Sequence, residues 1–211
     1  MYLTRVEVDM EDRRKVQSLT HLGAFHNWVE QSFPEEFAQG VRSRKLWRID
    51  HLRGKKYLLI LSETQPDIKA LETYGKEGSA LCKNYDTYLQ NLKEGEHLRF
   101  RLVANPVHAV PQEKGKRGVE KPHVTVQHQL EYLMERAERN GFNIVEDEVC
   151  IVERGYEILK KQGNKQVRVV KAAYEGILTI TNLEKFRQIL VQGIGKKKAY
   201  GFGLLTVIPE G

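Results

Sequence analysis

The sequence predicts an α+β fold made of two tandem ferredoxin-like domains, residues 1–95 and 96–211. The chain has 211 residues, of which 40% are hydrophobic, enough for one large core or two small ones. Each half repeats one order of elements: strand, helix, strands, helix or turn, strand. A polar stretch at residues 83–95 is expected to join the halves. No sequence repeat accompanies this order, so the prediction depends on the elements themselves.

The first half opens with an apolar–polar alternation over residues 1–8, which is typical of a half-buried strand. Helical spacing follows over residues 19–33. Pro34 is expected to end that helix, because proline lacks the amide donor that a helix interior needs. Two strands around a basic turn, then a short helix or turn, complete the half at residues 46–49, 57–61 and 68–74.

The second half starts with a strand at residues 97–103, followed by a charged loop, residues 113–121, which is too rich in glycine to hold a helix. Helical spacing over residues 127–140 ends at an Asn-Gly pair. Gly163 and Asn164 predict a two-residue hairpin turn. The remaining segments are strands, one helix and a last strand, at residues 144–152, 156–159, 166–170, 174–180, 183–192 and 204–208.

Positive charge is concentrated in the second half. Residues 1–95 contain 15 Lys and Arg against 14 Asp and Glu, whereas residues 96–211 contain 19 against 14, within a formal net charge of +6. Such an uneven basic surface is typical of a nucleic-acid footprint. Two nucleotide-binding templates do not fit, because no segment has P-loop spacing and no glycine-rich turn joins a strand to a following helix as in a Rossmann fold.

The cysteine content and the lengths of the apolar runs indicate the cellular compartment of the protein. Cys82 and Cys150 are the only cysteines and form no Cys-x-x-Cys pair, so neither a disulfide framework nor a structural zinc site is expected. No apolar run approaches the roughly 18 residues of a membrane helix, and the first residues predict a strand rather than a signal peptide. We expect a cytoplasmic protein with no membrane partner and no cofactor.

The segment from residue 193 to 203, called the glycine-rich loop below, holds four glycines and three consecutive lysines before the last strand. Glycine lets a backbone approach a partner closely and adopt positive φ angles. With lysines beside it, the loop is predicted to bind a phosphate-rich ligand through Gly193, Gly195, Gly201, Lys196, Lys197 and Lys198. A helix C-cap followed by a solvated lysine cluster is the alternative.

The predicted hairpin carries a second basic group, formed by Lys160, Lys161, Lys165 and Arg168. A basic two-stranded ribbon can enter the groove of a duplex and contact phosphates. The alternative is an ordinary solvated edge, where lysines discourage aggregation. Trp47 offers a ring for base stacking, although burial in a core is the commoner role of such a residue.

His26, in the first predicted helix, is the candidate for acid–base chemistry. Histidine gives and takes protons near neutral pH, as RNA cleavage by a ribose 2′-hydroxyl requires. A helix-packing or surface histidine is the alternative. His21 is five residues earlier, about 140° away around a helix, so the two form no metal pair. No other histidine has the spacing of a metal ligand, and no metal site is predicted.

Together these features resemble the CasE family, the CRISPR-repeat endoribonuclease of the type I-E Cascade complex. The similarity spans the whole chain, and its most specific parts are the strand Leu-Arg-Phe-Arg-Leu-Val-Ala-Asn-Pro at residues 98–106 and the glycine-rich loop. It also includes Met-Tyr-Leu-Thr at the start, His26 in the first helix, Tyr-Glu-Gly-Ile-Leu at residues 174–178, and Lys198.

The resemblance implies two ferredoxin-like (RRM-like) domains and metal-independent cleavage of precursor CRISPR RNA beside the repeat stem-loop. It also implies a 2′,3′-cyclic phosphate product and an enzyme that stays bound to this product with other Cascade subunits. By position, His26 matches the family's catalytic histidine. Members often carry a tyrosine three residues earlier, and some carry a lysine a turn later; here those positions are Gly23 and Gln31. Two other functions stay open: a non-catalytic RNA stem-loop-binding subunit and a DNA-binding module.

Overall fold

The computed structural model describes residues 1–113, 118–160 and 165–210. These residues form two antiparallel sheets, one from each half of the chain, together with a small two-stranded hairpin. Both sheets have the strand order of a ferredoxin-like unit, as set out below. The predicted α+β fold with two tandem ferredoxin-like units is therefore confirmed.

The first sheet contains four strands, β1 (Tyr2–Glu7), β2 (Leu46–Leu52), β3 (Lys55–Ser62) and β4 (Leu81–Asn84). Their spatial order is β2-β3-β1-β4, and every pair is antiparallel. The β2–β3 hairpin turns at Arg53 and Gly54, whose φ angles of 51° and 75° fit a type I′ turn. The sequence does not predict β4, because this strand is short, mostly exposed and partly inside the expected junction.

Helix α2 (Leu22–Gln31) is the main helix of the first half and buries Leu22, Phe25, Trp28 and Val29. Pro34 was predicted to end this helix, but the structure gives it a different position. Helix α2 ends at Gln31, and Pro34 begins helix α3 (Pro34–Gln39), where its missing amide hydrogen costs nothing. Three short helices complete this half, α1 (Arg13–Val16), α4 (Ile68–Leu71) and α5 (Asp86–Asn91).

The second sheet contains β5 (His97–Ala104), β8 (Phe142–Asn143), β9 (Val149–Lys160), β10 (Gln166–Ile180) and β11 (Leu205–Pro209). Its spatial order is β11-β5-β10-β8, and β9 also pairs with β10. Strands β8 and β9 share one ferredoxin-like position, because a 3-10 turn at Glu146–Glu148 separates them. The strand predicted at residues 144–152 is therefore broken at the three acids of this turn.

Helices α6 (Val126–Arg139) and α7 (Leu183–Gln192) confirm the two predicted helices of this half. An additional hairpin of β6 (Val107–Val110) and β7 (Val119–Pro122) encloses the predicted charged loop, and β7 includes the last three residues assigned to that loop. The sequence does not predict this hairpin, since its strands are short and mostly exposed. Part of that loop, and the predicted turn at Gly163 and Asn164, lie outside the described residues.

Two hydrophobic cores hold the molecule together, and each draws residues from both halves. One core joins Leu46 and Leu61 of the first sheet to α6, α7 and the second sheet. The other joins α2 and the first sheet to Val103, Val169 and Phe202 of the second half. The two sheets are thus packed as parts of one body.

Helix α5 packs with the second half although it follows the first sheet. Leu89 and Leu92 belong to the core that contains α6, α7 and the second sheet. The guanidinium of Arg187, on α7, donates hydrogen bonds to the carbonyl oxygens of Leu89, Gln90 and Leu92 at 2.8–3.2 Å. We propose a domain boundary at residue 95, because the first sheet ends at residue 84 and the second begins at residue 97, but α5 crosses it in its packing. No helix in the described parts of the chain has the length and apolarity that a membrane crossing needs.

Candidate active site

The amphipathic character of α2 places His26 at the surface. The apolar side chains of this helix face the core, and Trp28 and Val29 are fully buried there. His26 lies outside that apolar stripe and is partly exposed. The hydrophobic pattern of α2 therefore directs the imidazole away from the core and toward a neighbouring element of the second half.

That neighbouring element is the glycine-rich loop. Helix α7 ends at Gln192, with Gly193 as its C-cap. The loop then forms a 3-10 helix at Lys198–Tyr200. The ring of Tyr200 lies against His26, with 5.3 Å between the ring centroids and 56° between the planes. The structure thus brings the predicted histidine and the predicted basic loop together.

His26 and Lys198 line one surface groove of about 470 Å³. Residue Glu30 of α2 and Ala199 also line it, together with the segment that leads into β2, residues 42–45. The groove therefore combines the imidazole of α2 with cations from two other parts of the chain, residues 42–45 and Lys198. This combination suits an anionic substrate whose reaction requires proton transfer near neutral pH.

Lys198 is held in place and is electrostatically perturbed. Its Nζ donates a hydrogen bond to the carbonyl oxygen of Gln192, at the end of α7, over 2.9 Å. Burial lowers the pKa of Lys198, and the charge of Arg44 lowers it further. An anion in the groove would oppose both effects, because it favours the charged ammonium.

The two other lysines of the loop have different positions. Lys196 forms an ion pair with Glu120 of β7, with 3.0 Å between Nζ and Oε1. Lys197 adopts a left-handed conformation with φ of 61° where the 3-10 helix begins. Neither residue lines the groove beside His26. Their contact with RNA stays a prediction.

The glycines of the loop are explained by the packing of the protein itself. Gly195 has φ of 80°, and a β-carbon there would collide with the hydroxyl of Tyr132. Gly201 has φ of 83°, and a β-carbon there would lie 2.6 Å from the ring of Trp47. Gly193 and Gly201 are buried. Close internal packing thus accounts for the glycines, and their predicted contact with RNA remains untested.

The basic hairpin of β9 and β10 is present as two paired strands. Lys160, Lys165 and Arg168 are all exposed, and Arg168 stacks on the ring of Tyr156 with 4.4 Å to its centroid. Lys161 lies outside the described residues. Strand β9 also lies in contact with α2, and the charge of Lys160 lowers the pKa of His21 after the larger effect of burial. The hairpin and His26 are therefore on neighbouring elements.

Other candidate residues have structural roles. Trp47 is 1% exposed, so it packs in the core instead of offering a ring to a base. His21 caps α2, since its Nδ1 accepts a hydrogen bond from the amide of Ala24 at 3.3 Å. Among the residues that the structure describes, no group of three or more His, Cys, Asp or Glu side chains is arranged to hold a metal ion.

Arg42 and Arg44, which line the groove, were not predicted from the sequence as site residues. The signal available for them was the basic run Arg-Ser-Arg-Lys, residues 42–45, immediately before a strand. A basic run of this kind is common on solvated surfaces. Only the tertiary structure places it beside His26.

Comparison with known proteins shows the family to which the chain belongs. A sequence model of the CRISPR associated protein family matches residues 1–209. The chain is 30% identical over 220 residues to the CRISPR-associated endoribonuclease Cse3 of Thermus thermophilus, with coverage of 99% of this chain and 100% of that protein. It is similar to a solved structure of Thermus thermophilus Cse3 bound to an RNA representing a pre-cleavage complex, with TM-score 0.79, 27% identity, and coverage of 99% and 98%.

A more distant structure has the same fold. Cas6e from Escherichia coli K-12 has a TM-score of 0.61 and 20% identity, with coverage of 99% of this chain and 100% of that one. The family match extends over nearly the whole chain, and the similarity to Cse3 covers both sheets, α2 and the glycine-rich loop. The chain therefore belongs to the CRISPR-associated protein family.

Proposed function

We propose that this protein is an endoribonuclease that cleaves precursor CRISPR RNA at the repeat stem-loop and leaves a 2′,3′-cyclic phosphate. The observation that carries the proposal is the groove in which His26 of α2 meets Lys198 of the glycine-rich loop. The similarity to Cse3, a CRISPR-associated endoribonuclease, supplies the substrate class. The solved Cse3 complex with a pre-cleavage RNA supports the same reaction.

In this reaction the ribose 2′-oxygen forms a bond to the adjacent phosphorus while the bond from phosphorus to the 5′-oxygen breaks. The 2′-hydroxyl loses a proton and the leaving 5′-oxygen gains one. His26 supplies one of these two proton transfers, because its imidazole exchanges protons near neutral pH. Lys198 stabilises the negative charge on the phosphate. Neither Gly23 nor Gln31 has a side-chain group that can transfer a proton at neutral pH.

The same proposal includes binding of the RNA stem by the β9–β10 hairpin and the glycine-rich loop. Charge supports it, since the exposed cations Lys160, Lys165 and Arg168 lie on one hairpin. Retention of the cleaved RNA, assembly with other Cascade subunits and a cytoplasmic location follow from the family resemblance. We propose that the reaction needs no metal ion, because proton transfer by His26 and charge stabilisation by Lys198 supply the required chemistry.

The decisive experiment uses His26→Ala with the CRISPR repeat RNA encoded beside the gene, in EDTA. We expect the wild-type protein to cleave this RNA, and the variant to be slower by about 10²- to 10⁴-fold, with stem-loop affinity largely unchanged. His51→Ala is the matched control, since His51 is an exposed histidine at the end of β2 and does not line the groove. Normal cleavage by His26→Ala would overturn the mechanism.

The alternative function is a non-catalytic stem-loop-binding subunit. In that case the wild-type protein binds the repeat RNA and leaves it intact in single-turnover conditions. A DNA-binding module would instead bind duplex DNA as strongly as the RNA stem-loop. Inhibition by EDTA would refute metal independence and leave the nuclease function in place.

A further inference from the structure

The groove beside His26 contains a cation to which the proposed function assigns no role. Arg44 lies between α3 and β2, in the segment of residues 42–45 that lines the groove. The other lining residues come from α2 and from the turn after α7, which carries Lys198. Arg44 is exposed. It is therefore accessible to a ligand that enters the groove.

The cations on either side of Arg44 already have partners. Lys45 is 5% exposed, and its Nζ lies 2.6 Å from a carboxylate oxygen of Glu36 and 3.5 Å from one of Glu30. The guanidinium of Arg42 lies over the ring of Phe37, 5.7 Å from its centroid. The side chain of Arg44 makes no hydrogen bond or ion pair with any residue in the described parts of the chain.

The backbone on both sides of Arg44 is fixed by one carboxylate. Glu36 is buried, and its two oxygens accept hydrogen bonds from the amide of Ser43 at 3.1 Å and from the hydroxyl of Ser43 at 2.5 Å. The same carboxylate accepts a hydrogen bond from Nζ of Lys45. Because residues 43 and 45 are both anchored to Glu36, the backbone of Arg44 is ordered before a ligand binds. A preorganised cation loses less entropy when it contacts an anion.

Arg44 is also close enough to Lys198 to influence it. Its charge is the second cause, after burial, of the lowered pKa of Lys198. Two cations from separate elements thus repel each other at the edge of the groove. An anion between them would remove this repulsion, and the planar fork of a guanidinium fits two oxygens of one phosphate.

We propose that Arg44, together with Lys198, binds the scissile phosphate beside His26 and stabilises the charge that its non-bridging oxygens gain during cleavage. The inference rests on the proposed function, to which it adds a catalytic residue. Arg44 donates hydrogen bonds and keeps its own protons, since a guanidinium stays charged in proteins. The protons that leave the 2′-oxygen and reach the 5′-oxygen pass through His26 and solvent.

The first test is the single-turnover cleavage rate of Arg44→Ala with the CRISPR repeat RNA encoded beside the gene. We expect a rate about 10²-fold below wild type, the usual effect of removing one donor to a developing oxyanion, and stem-loop affinity within about threefold of wild type. Arg44→Lys should recover part of the rate, because it restores the charge without the fork. Arg13→Ala, an exposed arginine of α1, is the matched control and should cleave normally.

The second test needs no cleavage. The affinity of each protein is measured for the cleaved stem-loop ending in a 3′-phosphate and for the same RNA ending in a 3′-hydroxyl. Wild type and Arg13→Ala should prefer the phosphate form by about tenfold, whereas in Arg44→Ala the preference should fall to about threefold, because Lys198 remains. If wild type cleaves the RNA and Arg44→Ala cleaves it at the same rate, the proposed role of Arg44 is overturned. The nuclease function then still stands. If wild type binds the stem-loop without cleaving it, the nuclease function fails, and the phosphate preference decides for or against Arg44.

Discussion

Trp47 donates a hydrogen bond from its indole Nε1 to the carbonyl oxygen of Ala199, over 3.0 Å. Trp47 is buried in β2, whereas Ala199 follows Lys198 in the glycine-rich loop. A side chain of the first sheet therefore fixes the turn that carries a groove cation of the second half. The position of Lys198 relative to His26 depends on this contact between the two units.

Replacing Trp47 with Phe should weaken both the fold and the cleavage activity. The substitution removes the hydrogen bond to Ala199 and part of a buried ring, so we expect a loss of about 2 kcal/mol in the free energy of unfolding. The loosened turn should slow cleavage by roughly ten- to a hundredfold, because small displacements of catalytic groups are costly. Denaturant unfolding and single-turnover cleavage measure the two effects.

The control for this experiment is Trp28→Phe. Trp28 is also fully buried, and its indole nitrogen donates to the carbonyl oxygen of Leu71 at 3.1 Å, on the core side of α2. Its loss should destabilise the protein by a similar amount and leave the cleavage rate of the folded protein near wild type. Equal cleavage rates in the two variants would show that the Trp47–Ala199 contact has no special role.

Removing the cations of the hairpin should weaken RNA binding in a salt-dependent manner. We expect the triple substitution Lys160→Ala, Lys165→Ala and Arg168→Ala to lower stem-loop affinity and to reduce the slope of log affinity against log salt by roughly one for each lost phosphate contact. Replacing Arg13, Arg14 and Lys69, three exposed cations of α1 and α4, removes the same charge elsewhere and is the control. An identical slope for both triple variants would refute the assignment to the hairpin.

Asp50 should contribute stability that disappears in acid. Arg48, 3% exposed, forms two hydrogen bonds with Asp50, at 2.7 and 2.8 Å, and also donates to the carbonyl oxygens of Arg101 and Leu204 in the second sheet. Burial acts to raise the pKa of Asp50, but Arg48 and then Arg101 outweigh it, so this pKa lies below its ordinary value of 3.8. The stabilisation is therefore complete above pH 3.8 and is lost as the pH falls further.

The variant Asp50→Asn tests this linkage. At pH 7 we expect it to be less stable than wild type by about 3 kcal/mol, because the buried Arg48 loses its counter-charge. The difference should narrow as the pH falls below 3.8, because the wild-type carboxyl then binds a proton in the unfolded chain before it does so in the folded protein. Thermal unfolding between pH 7 and pH 3 measures it. A difference that is constant over this range would contradict the assigned pKa shift.

The substitution Gly195→Ala should destabilise the glycine-rich loop for two separable reasons. The first is a φ of 80°, which costs a residue with a β-carbon about 1–2 kcal/mol, and the second is the collision with the hydroxyl of Tyr132. Adding Tyr132→Phe should recover the second part only. Gly40→Ala is the control for the first part, because Gly40 has φ of 67° and open space around it. Equal losses in both glycine variants would exclude the collision.

Elements with strong local signals were predicted closely. Helices α6 and α7 have regular apolar spacing, and their predicted bounds differ from the observed ones by at most one residue. Strand β4 and the β6–β7 hairpin were not predicted, since exposed short strands carry no alternation that distinguishes them from loops. The pairing partner of β4 is β1, which is distant in the chain and leaves no local pattern.

The site was predictable only in part. His26 and Lys198 were recognised individually, but their common groove arises because β2 and the glycine-rich loop pack together. Arg44 was not recognised, because its significance lies in the groove that it lines with His26 and Lys198 and not in its neighbours along the chain. The sequence drew attention to the glycines for their conformational freedom. In the structure they are needed because a β-carbon would collide with Tyr132 or Trp47.

The packing of α5 has a consequence for the order in which a growing chain can fold. The apolar side chains of Leu89 and Leu92 are covered by residues of the second half, and Arg187 supplies the last hydrogen bonds to this helix. A ribosome-bound chain that ends at residue 95 must leave this surface exposed to water. Folding of the first unit is therefore completed only after α7 has been synthesised, and the halves should unfold together in one transition.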